Sequence, residues 1–289
     1  MINVLYTIFL FNIIIILFKM LKKYKVDNLQ TLIVNYLTAA ILSYFLLEQD
    51  FSIYHILQSD WIMHSIIIGS LFIIVFNFYA FGIQKVGISV TTVANKISLI
   101  IPVCTALILY PKENSFDELK VIALFLALIG IYLSTTKGGK ITFDKKYLWI
   151  IILVFTGQGV SDAIFNDFAQ RFPNEGGYLF FMSLFLFASI TGILLYIFSG
   201  KYIKLKNPLQ LKSLSWGILL GIPNFFSLVF FLKALNDPEL ASSIIFPLVS
   251  MGVIISSSII GTVLFKEKLS NNNWIGILLS ICAIYILSI

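Results

Sequence analysis

Long runs of apolar residues, parted by short polar connections, fill almost the whole chain. Ten of them fall near 3–20, 29–47, 62–86, 88–110, 118–135, 147–169, 176–199, 213–235, 239–264 and 273–289. Each is close to the length of about 20 residues that a helix needs to cross the hydrocarbon core of a bilayer. The connections are too short to hold a soluble domain. In lipid every backbone N–H and C=O must be satisfied within its own segment. The pattern therefore predicts an all-α, polytopic membrane bundle of ten transmembrane helices.

A second pattern runs through the first. The sequence Asn77-Phe78-Tyr79, then Pro102, then Lys112-Glu113 and Ile131-Tyr132-Leu133, returns as Asn224-Phe225-Phe226, Pro247, Lys266-Glu267 and Ile284-Tyr285-Ile286. The separations are 147, 145, 154 and 153 residues, a match with small insertions. This divides one integral membrane domain into two five-helix repeats, 1–140 and 141–289. Five is odd, so the two repeats run in opposite directions across the membrane. Inverted repeats are a common plan of transporters, whose binding sites lie near the midplane between the halves.

Composition narrows the picture. Hydrophobic residues make up 59% of the chain and charged residues 12%. The net charge of +6 does not point to nucleic acid, because the lysines sit in short loops between apolar runs. Odd-numbered connections hold Lys19, Lys22, Lys23, Lys25, Lys85, Lys137, Lys140, Lys145, Lys146, Lys201, Lys204, Lys206, Lys212, Lys266 and Lys268. Even-numbered ones hold only Lys112, Lys120, Arg171 and Lys233, and the second is acidic, with Glu48, Asp50 and Asp60. Basic residues favour the cytoplasmic side, so both termini are expected outside. The first run lacks a basic segment before it and a small-residue cleavage site after it, which reads as an uncleaved helix rather than a signal peptide.

Cys104 and Cys282 lie far apart inside apolar runs and read as small core residues, not a disulfide or metal pair. His55 and His64 flank the start of the third run without a Cys or Glu cluster, so no metal site is expected. No phosphate loop, nucleophile elbow or zinc motif occurs, and no cofactor is expected.

The stretch Ala241-Ser242-Ser243-Ile244-Ile245-Phe246-Pro247, followed by Phe265-Lys266-Glu267-Lys268-Leu269 and Trp274-Ile275-Gly276-Ile277, resembles the drug/metabolite transporter superfamily in its EamA type. The first half repeats the pattern as Ile101-Pro102, Lys112-Glu113 and Gly130. The resemblance covers essentially the whole chain and implies ten helices formed from two five-helix repeats. Its motifs are degenerate and identify the family rather than a substrate. Several members of that family are described with cytoplasmic termini, whereas the lysine distribution here gives the opposite orientation.

Lys96, in Val93-Ala94-Asn95-Lys96-Ile97-Ser98, lies roughly 12 Å along the fourth run. An ammonium at that depth is costly and ordinarily faces a cavity or a partner. It reads either as the anchor of a substrate carboxylate or phosphate, or as a lysine snorkelling to the interface. Asp162, in Gly157-Gln158-Gly159-Val160-Ser161-Asp162, lies roughly 22 Å along the sixth run. It reads as a proton carrier, a partner for a substrate amine, or a structural carboxylate continuing a polar face with Asn166, Asp167 and Arg171. The depths differ by about 10 Å, which disfavours a direct Lys96–Asp162 ion pair. Asn77, Tyr79, Asn95, Ser98, Gln158, Asn224, Ser242 and Ser243 are polar positions that line a cavity or bond between helices. Asn12 and Asn35 read as inter-helix bonds. Pro102 and Pro247 are hinge candidates, and Pro223 also interrupts a helix, because proline removes a backbone bond and clashes with the preceding turn. Trp61, Trp149 and Trp274 are expected at the interface.

The function these expectations describe is secondary transport. A small polar or amphipathic metabolite, an amino acid being one example, would be exported by alternating access through a central cavity in a bacterial cytoplasmic membrane. Coupling to protons would run through Asp162. A lipid-linked-sugar flippase is a variant of the same class. The rivals are a membrane-embedded enzyme, for which the paired acids, histidines or metal cluster are missing, and a non-transporting membrane scaffold.

Overall fold

A computed structural model describes residues 1–47, 52–85, 88–112, 117–135, 145–173, 177–202, 210–265 and 269–287. Among them every long element is helical. In chain order these are α1 (Ile2–Tyr24), α2 (Asn28–Phe45), α3 (Ile53–Gln58), α4 (Ile62–Lys85), α5 (Ile88–Ile97), α6 (Ile100–Leu109), α7 (Glu118–Thr135), α8 (Leu148–Arg171), α9 (Gly177–Tyr202), α10 (Leu211–Leu235), α11 (Ser242–Phe265) and α12 (Asn271–Leu287). The repeat boundary near residue 140 and the loop residues Glu48, Asp50, Glu113, Lys137, Lys140, Lys204, Lys206, Lys266, Glu267 and Lys268 lie outside the described residues.

Local chemistry sets the ends. The α1 helix stops at Lys25, whose φ of 52° is left-handed, and Val26 N–H closes the turn on Leu21 O at 3.2 Å. That is the six-to-one bond of a Schellman cap. Two residues later Asp27 accepts from Gln30 N at 2.9 Å and starts α2.

Nine of the ten apolar runs form one continuous main helix each. The run 88–110 does not; it is divided at Ser98 and Leu99 into α5 and α6. Pro102 has no N–H to offer Ser98 O four residues back, and its ring crowds that carbonyl. Ser98 O instead accepts from Ile101 N at 3.0 Å, and Lys96 O from Leu99 N at 3.4 Å, both three-residue bonds. Pro223 and Pro247 lie within unbroken helices. The short α3 is a surface helix that the hydropathy pattern gave no reason to expect.

Five helices, α4, α8, α9, α10 and α11, contain stretches long and apolar enough to cross a membrane. Their outward faces carry Ile67, Ile152, Ile193, Leu194, Ile197, Phe198, Leu219, Ile222, Ile259 and Val263 exposed. Such an apolar exterior is the composition of an integral membrane protein. The interior is aromatic where α8, α9 and α10 meet. Phe165, Phe168, Phe180, Phe185 and Phe225 are all buried there, with Phe168 and Phe180 stacked at 3.5 Å between centroids.

The main helix pairs are α7 with α12, α2 with α9 and α10, α4 with α8 and α9, and α1 with α10 and α11. The divided helix packs on α8 through both α5 and α6. Small residues permit the closest pairs. A Cβ placed on Gly130 of α7 would lie 2.6 Å from Ser280 Oγ, 2.9 Å from its backbone N and 3.0 Å from Gly276 O. At Gly69 of α4 it would lie 2.3 Å from Leu184 O of α9. Helices in lipid gain contact from such backbone proximity rather than from expelling water. Ser65–Ser183 at 2.8 Å and Ser70–Thr191 at 3.1 Å then tie α4 to α9.

Two expectations are corrected. Cys104 and Cys282 are free, as expected, but exposed rather than in the core. An apolar residue in lipid can face either way, since lipid tails are as apolar as a leucine core. Trp61 is buried, edge-on to Phe180 at 5.7 Å, whereas Trp149 and Trp274 are exposed as interfacial tryptophans would be.

Candidate functional site

Packing of α5 along α8 brings four of the predicted site residues together. Asn95 donates from Nδ2 to Gln158 Oε1 at 3.2 Å. Gln158 donates in turn from Nε2 to Asp162 Oδ1 at 3.0 Å, one helical turn further along α8. The amide thus relays between the two helices, its oxygen turned to α5 and its nitrogen to the carboxylate. Lys96 and Asp162 interact through space as opposite charges. No ion pair joins them among the described residues, in keeping with the difference in depth read from the sequence. Both keep part of their surface although protein surrounds them. The arrangement offers one anion-binding and one cation-binding group, flanked by an amide pair, at the join between the divided helix and α8.

The other predicted residues stand differently. Asn77 of α4 spends its amide on its own helix, donating to Ile73 O at 2.9 Å. Tyr79 follows on the same helix, which packs against both α5 and α8. Ser98 sits buried at the helix break and donates to Asn95 O. Asn224 of α10 accepts at its carbonyl from Ser227 Oγ at 2.7 Å. Ser242 and Ser243 are buried in the first turn of α11. Pro102 stands beside a helix break, and Pro247 inside a continuous helix. Asn12 makes the inter-helix bond expected of it, donating to Ser256 Oγ of α11 at 2.7 Å. Asn35 is buried, with its Oδ1 unpartnered.

A second polar group was legible only in part, since the polar face of Asp167 and Arg171 was expected but not its partners Tyr110 and His64. The Asp167 carboxylate, in the last turn of α8, accepts from Tyr110 Oη at 2.5 Å and Arg171 Nε at 3.0 Å through one oxygen. Its other oxygen meets His64 Nε2 at 2.9 Å. Arg171 Nε also reaches Tyr110 Oη at 3.4 Å. The group joins the start of α4, the end of α6 and the end of α8. The Asp167–Arg171 spacing of four residues was legible as a same-face pair. Nothing in the sequence linked it to a histidine 103 residues earlier.

No family model matches the chain. An uncharacterized protein of Haemophilus influenzae is 29% identical over 298 residues, with 99% of this chain and 97% of that protein covered. Among solved structures, one crystal structure of a protein superposes with a TM-score of 0.74 at 13% identity, covering 99% of this chain and 98% of the other. At that identity the likeness concerns the fold, which extends over the full length of both chains.

Proposed function

We propose that the chain is a secondary transporter of ten spans in two inverted five-helix repeats, moving a small polar or amphipathic metabolite by alternating access. The observation that carries this reading is an exchange pattern in the packing. Replace α1 by α8, α2 by α9, α4 by α10, the α5–α6 pair by α11, and α7 by α12, and the largest contacts map onto one another. The pair α2–α10 becomes α9–α4, α1–α10 becomes α8–α4, and α1–α11 becomes α8 with α5 and α6. The pairs α2–α9 and α7–α12 map onto themselves, and in the latter Gly130 approaches Gly276. A duplicated chain whose halves interlock in this way has two alternative arrangements of equal kind, the basis of alternating access.

Within that frame, Lys96, Asp162, Asn95 and Gln158 form the substrate site, with Asn77, Tyr79, Asn224, Ser242 and Ser243 contributing to the lining. An ionisable residue inside a membrane bundle is retained at a cost, and opposed charges that do not touch leave room for a ligand between them. A substrate carrying a carboxylate and an amine, such as an amino acid, satisfies both; Asp162 also suits proton coupling. The lysine distribution favours odd-numbered connections in the cytoplasm and accords with a bacterial cytoplasmic membrane location; outward movement is part of the proposal. The EamA-type resemblance accords with this reading. The test is release of solute from proteoliposomes loaded with a bacterial metabolite extract, followed by mass spectrometry. One or more small polar solutes should leave only protein-containing vesicles, and release matching that of empty vesicles for every solute would overturn the proposal.

A further inference from the structure

The half-helix α6 packs on both α8 and α11 with Val103 and Ala106 buried, and its far end is held by charge as well. Near the helix break, Ile101 packs over Gly159 so closely that a Cβ there would lie 2.4 Å from Ile101 Cδ1. At the other end, Tyr110 donates its hydroxyl to Asp167, which also holds Arg171 and His64. His64 comes from α4, so one carboxylate ties three helices at a single end of the bundle. Two aromatic rings pack against His64, Phe172 edge-on at 5.5 Å and Phe168 at 6.2 Å. The Asp167 side chain is 19% exposed and His64 15%, whereas Arg171 is 59% exposed. The bonds are thus shielded on the bundle side and open to water at the rim.

The Asp167 carboxylate lies five residues, about 7.5 Å, beyond Asp162 along α8. In depth the network therefore lies nearer that end of the protein than the Lys96–Asp162 group, and on another face of α8. The α6 helix is about 15 Å long and is joined to α5 by a break where Leu99 N and Ile101 N make three-residue bonds, while Ser98 N and Val103 N keep four-residue bonds to Ala94 O and Leu99 O. A rotation of about 20° at Ser98–Leu99 would carry the tip of such a rod by about 5 Å, enough to part Tyr110 from Asp167.

We propose that Asp167 is the keystone of a latch, closed in this structure, that holds α6 as a gate over one end of the path to the Lys96–Asp162 group. Ser98–Leu99 is the pivot, the Ile101–Gly159 contact the bearing, and the Tyr110 hydroxyl the catch. His64 and Arg171 keep the carboxylate oriented toward the catch when the gate is shut. This inference rests on the transporter reading, and its test reads the gate directly rather than solute movement.

The test uses full-length protein with Cys104→Ala and Cys282→Ala, and a reporter Ala163→Cys. Ala163 lies on α8 between the depths of Asp162 and Asp167. Labelling by a membrane-impermeant maleimide is timed from each side of the membrane. Tyr110→Phe, which removes a single hydroxyl, and Asp167→Asn should each speed labelling from the latch end by about tenfold, equivalent to about 1.4 kcal/mol. The double variant should label at least as fast as Asp167→Asn alone, since Tyr110→Phe also removes the bond from Arg171 Nε to Tyr110 Oη. Detergent melting curves identify any variant that labels because it has unfolded, and Tyr110→Phe decides the outcome if Asp167→Asn fails that control. Unchanged labelling in folded Tyr110→Phe, or faster labelling from the opposite end, overturns the latch. Faster labelling from the latch end in a protein that moves no solute keeps the latch and removes the transport reading.

Discussion

Gln158 donates to the carboxylate of Asp162 from one helical turn earlier on α8. Its oxygen is occupied by Asn95 of α5, so the side chain cannot turn without breaking bonds to two residues. It therefore acts as a positioning residue for Asp162. Replacing Gln158 with Leu leaves both partners short of a bond, a loss of about 1–3 kcal/mol for each buried polar group left unsatisfied. Binding of the transported solute should weaken about tenfold or more by calorimetry, with little change in expression. Gln158→Glu should weaken it further, because a like charge then faces Asp162.

Lys96 carries the anion-recognition role. Lys96→Gln keeps much of the side-chain length and removes the charge. Hydrogen bonds to charged groups contribute about 1.5–3 kcal/mol, so acidic and zwitterionic solutes should lose at least about tenfold in affinity while neutral analogues change little. Equal transport of the native solute by Lys96→Gln and the parent would assign the lysine to snorkelling alone.

The ten apolar runs and the two conspicuous charges were legible because lipid admits only long apolar helices and tolerates few ionisable groups. Division of the fourth run was half legible. Pro102 announced a disturbance, but the same signal at Pro223 and Pro247 left helices intact, since neighbouring helices and not the proline alone decide whether a turn opens. The outward placement of Cys104 and Cys282 could not be read, because core and lipid are both apolar. The partners of Asp167 were missed for a different reason. His64, Tyr110 and Asp167 come from three separated helices, and only packing brings them together.

Gly130 tests the packing. A side chain there meets Ser280 Oγ and the backbone of Ser280 and Gly276, and the backbone atoms cannot turn aside, so α7 and α12 must separate. Overpacking of this kind costs about 1–3 kcal/mol, and Gly130→Leu should lower the melting temperature in detergent by several degrees. At Gly177 no atom lies within 4 Å of an added Cβ, and only its φ of +43° resists substitution. Gly177→Ala should therefore cost less than Gly130→Leu. A reversed order would contradict close α7–α12 packing.

Orientation follows from the lysines. Reporter fusions at residues 140 and 289 should show cytoplasmic and external activity respectively. The opposite pair would invert the topology, place the Asp167 group on the cytoplasmic side and leave the helix pairing unchanged.

Alternating access itself is most directly measured at the helix break. Ser98 is 1% exposed and adjoins the Asn95–Gln158–Asp162 group. In the Cys104→Ala, Cys282→Ala background, Ser98→Cys is labelled with an impermeant maleimide applied to one face of oriented vesicles and then, in separate samples, to the other. Modification from both faces, each slowed when the transported solute is added, is the predicted result. Protection from both faces under all conditions, or access from one face only, would contradict alternating access.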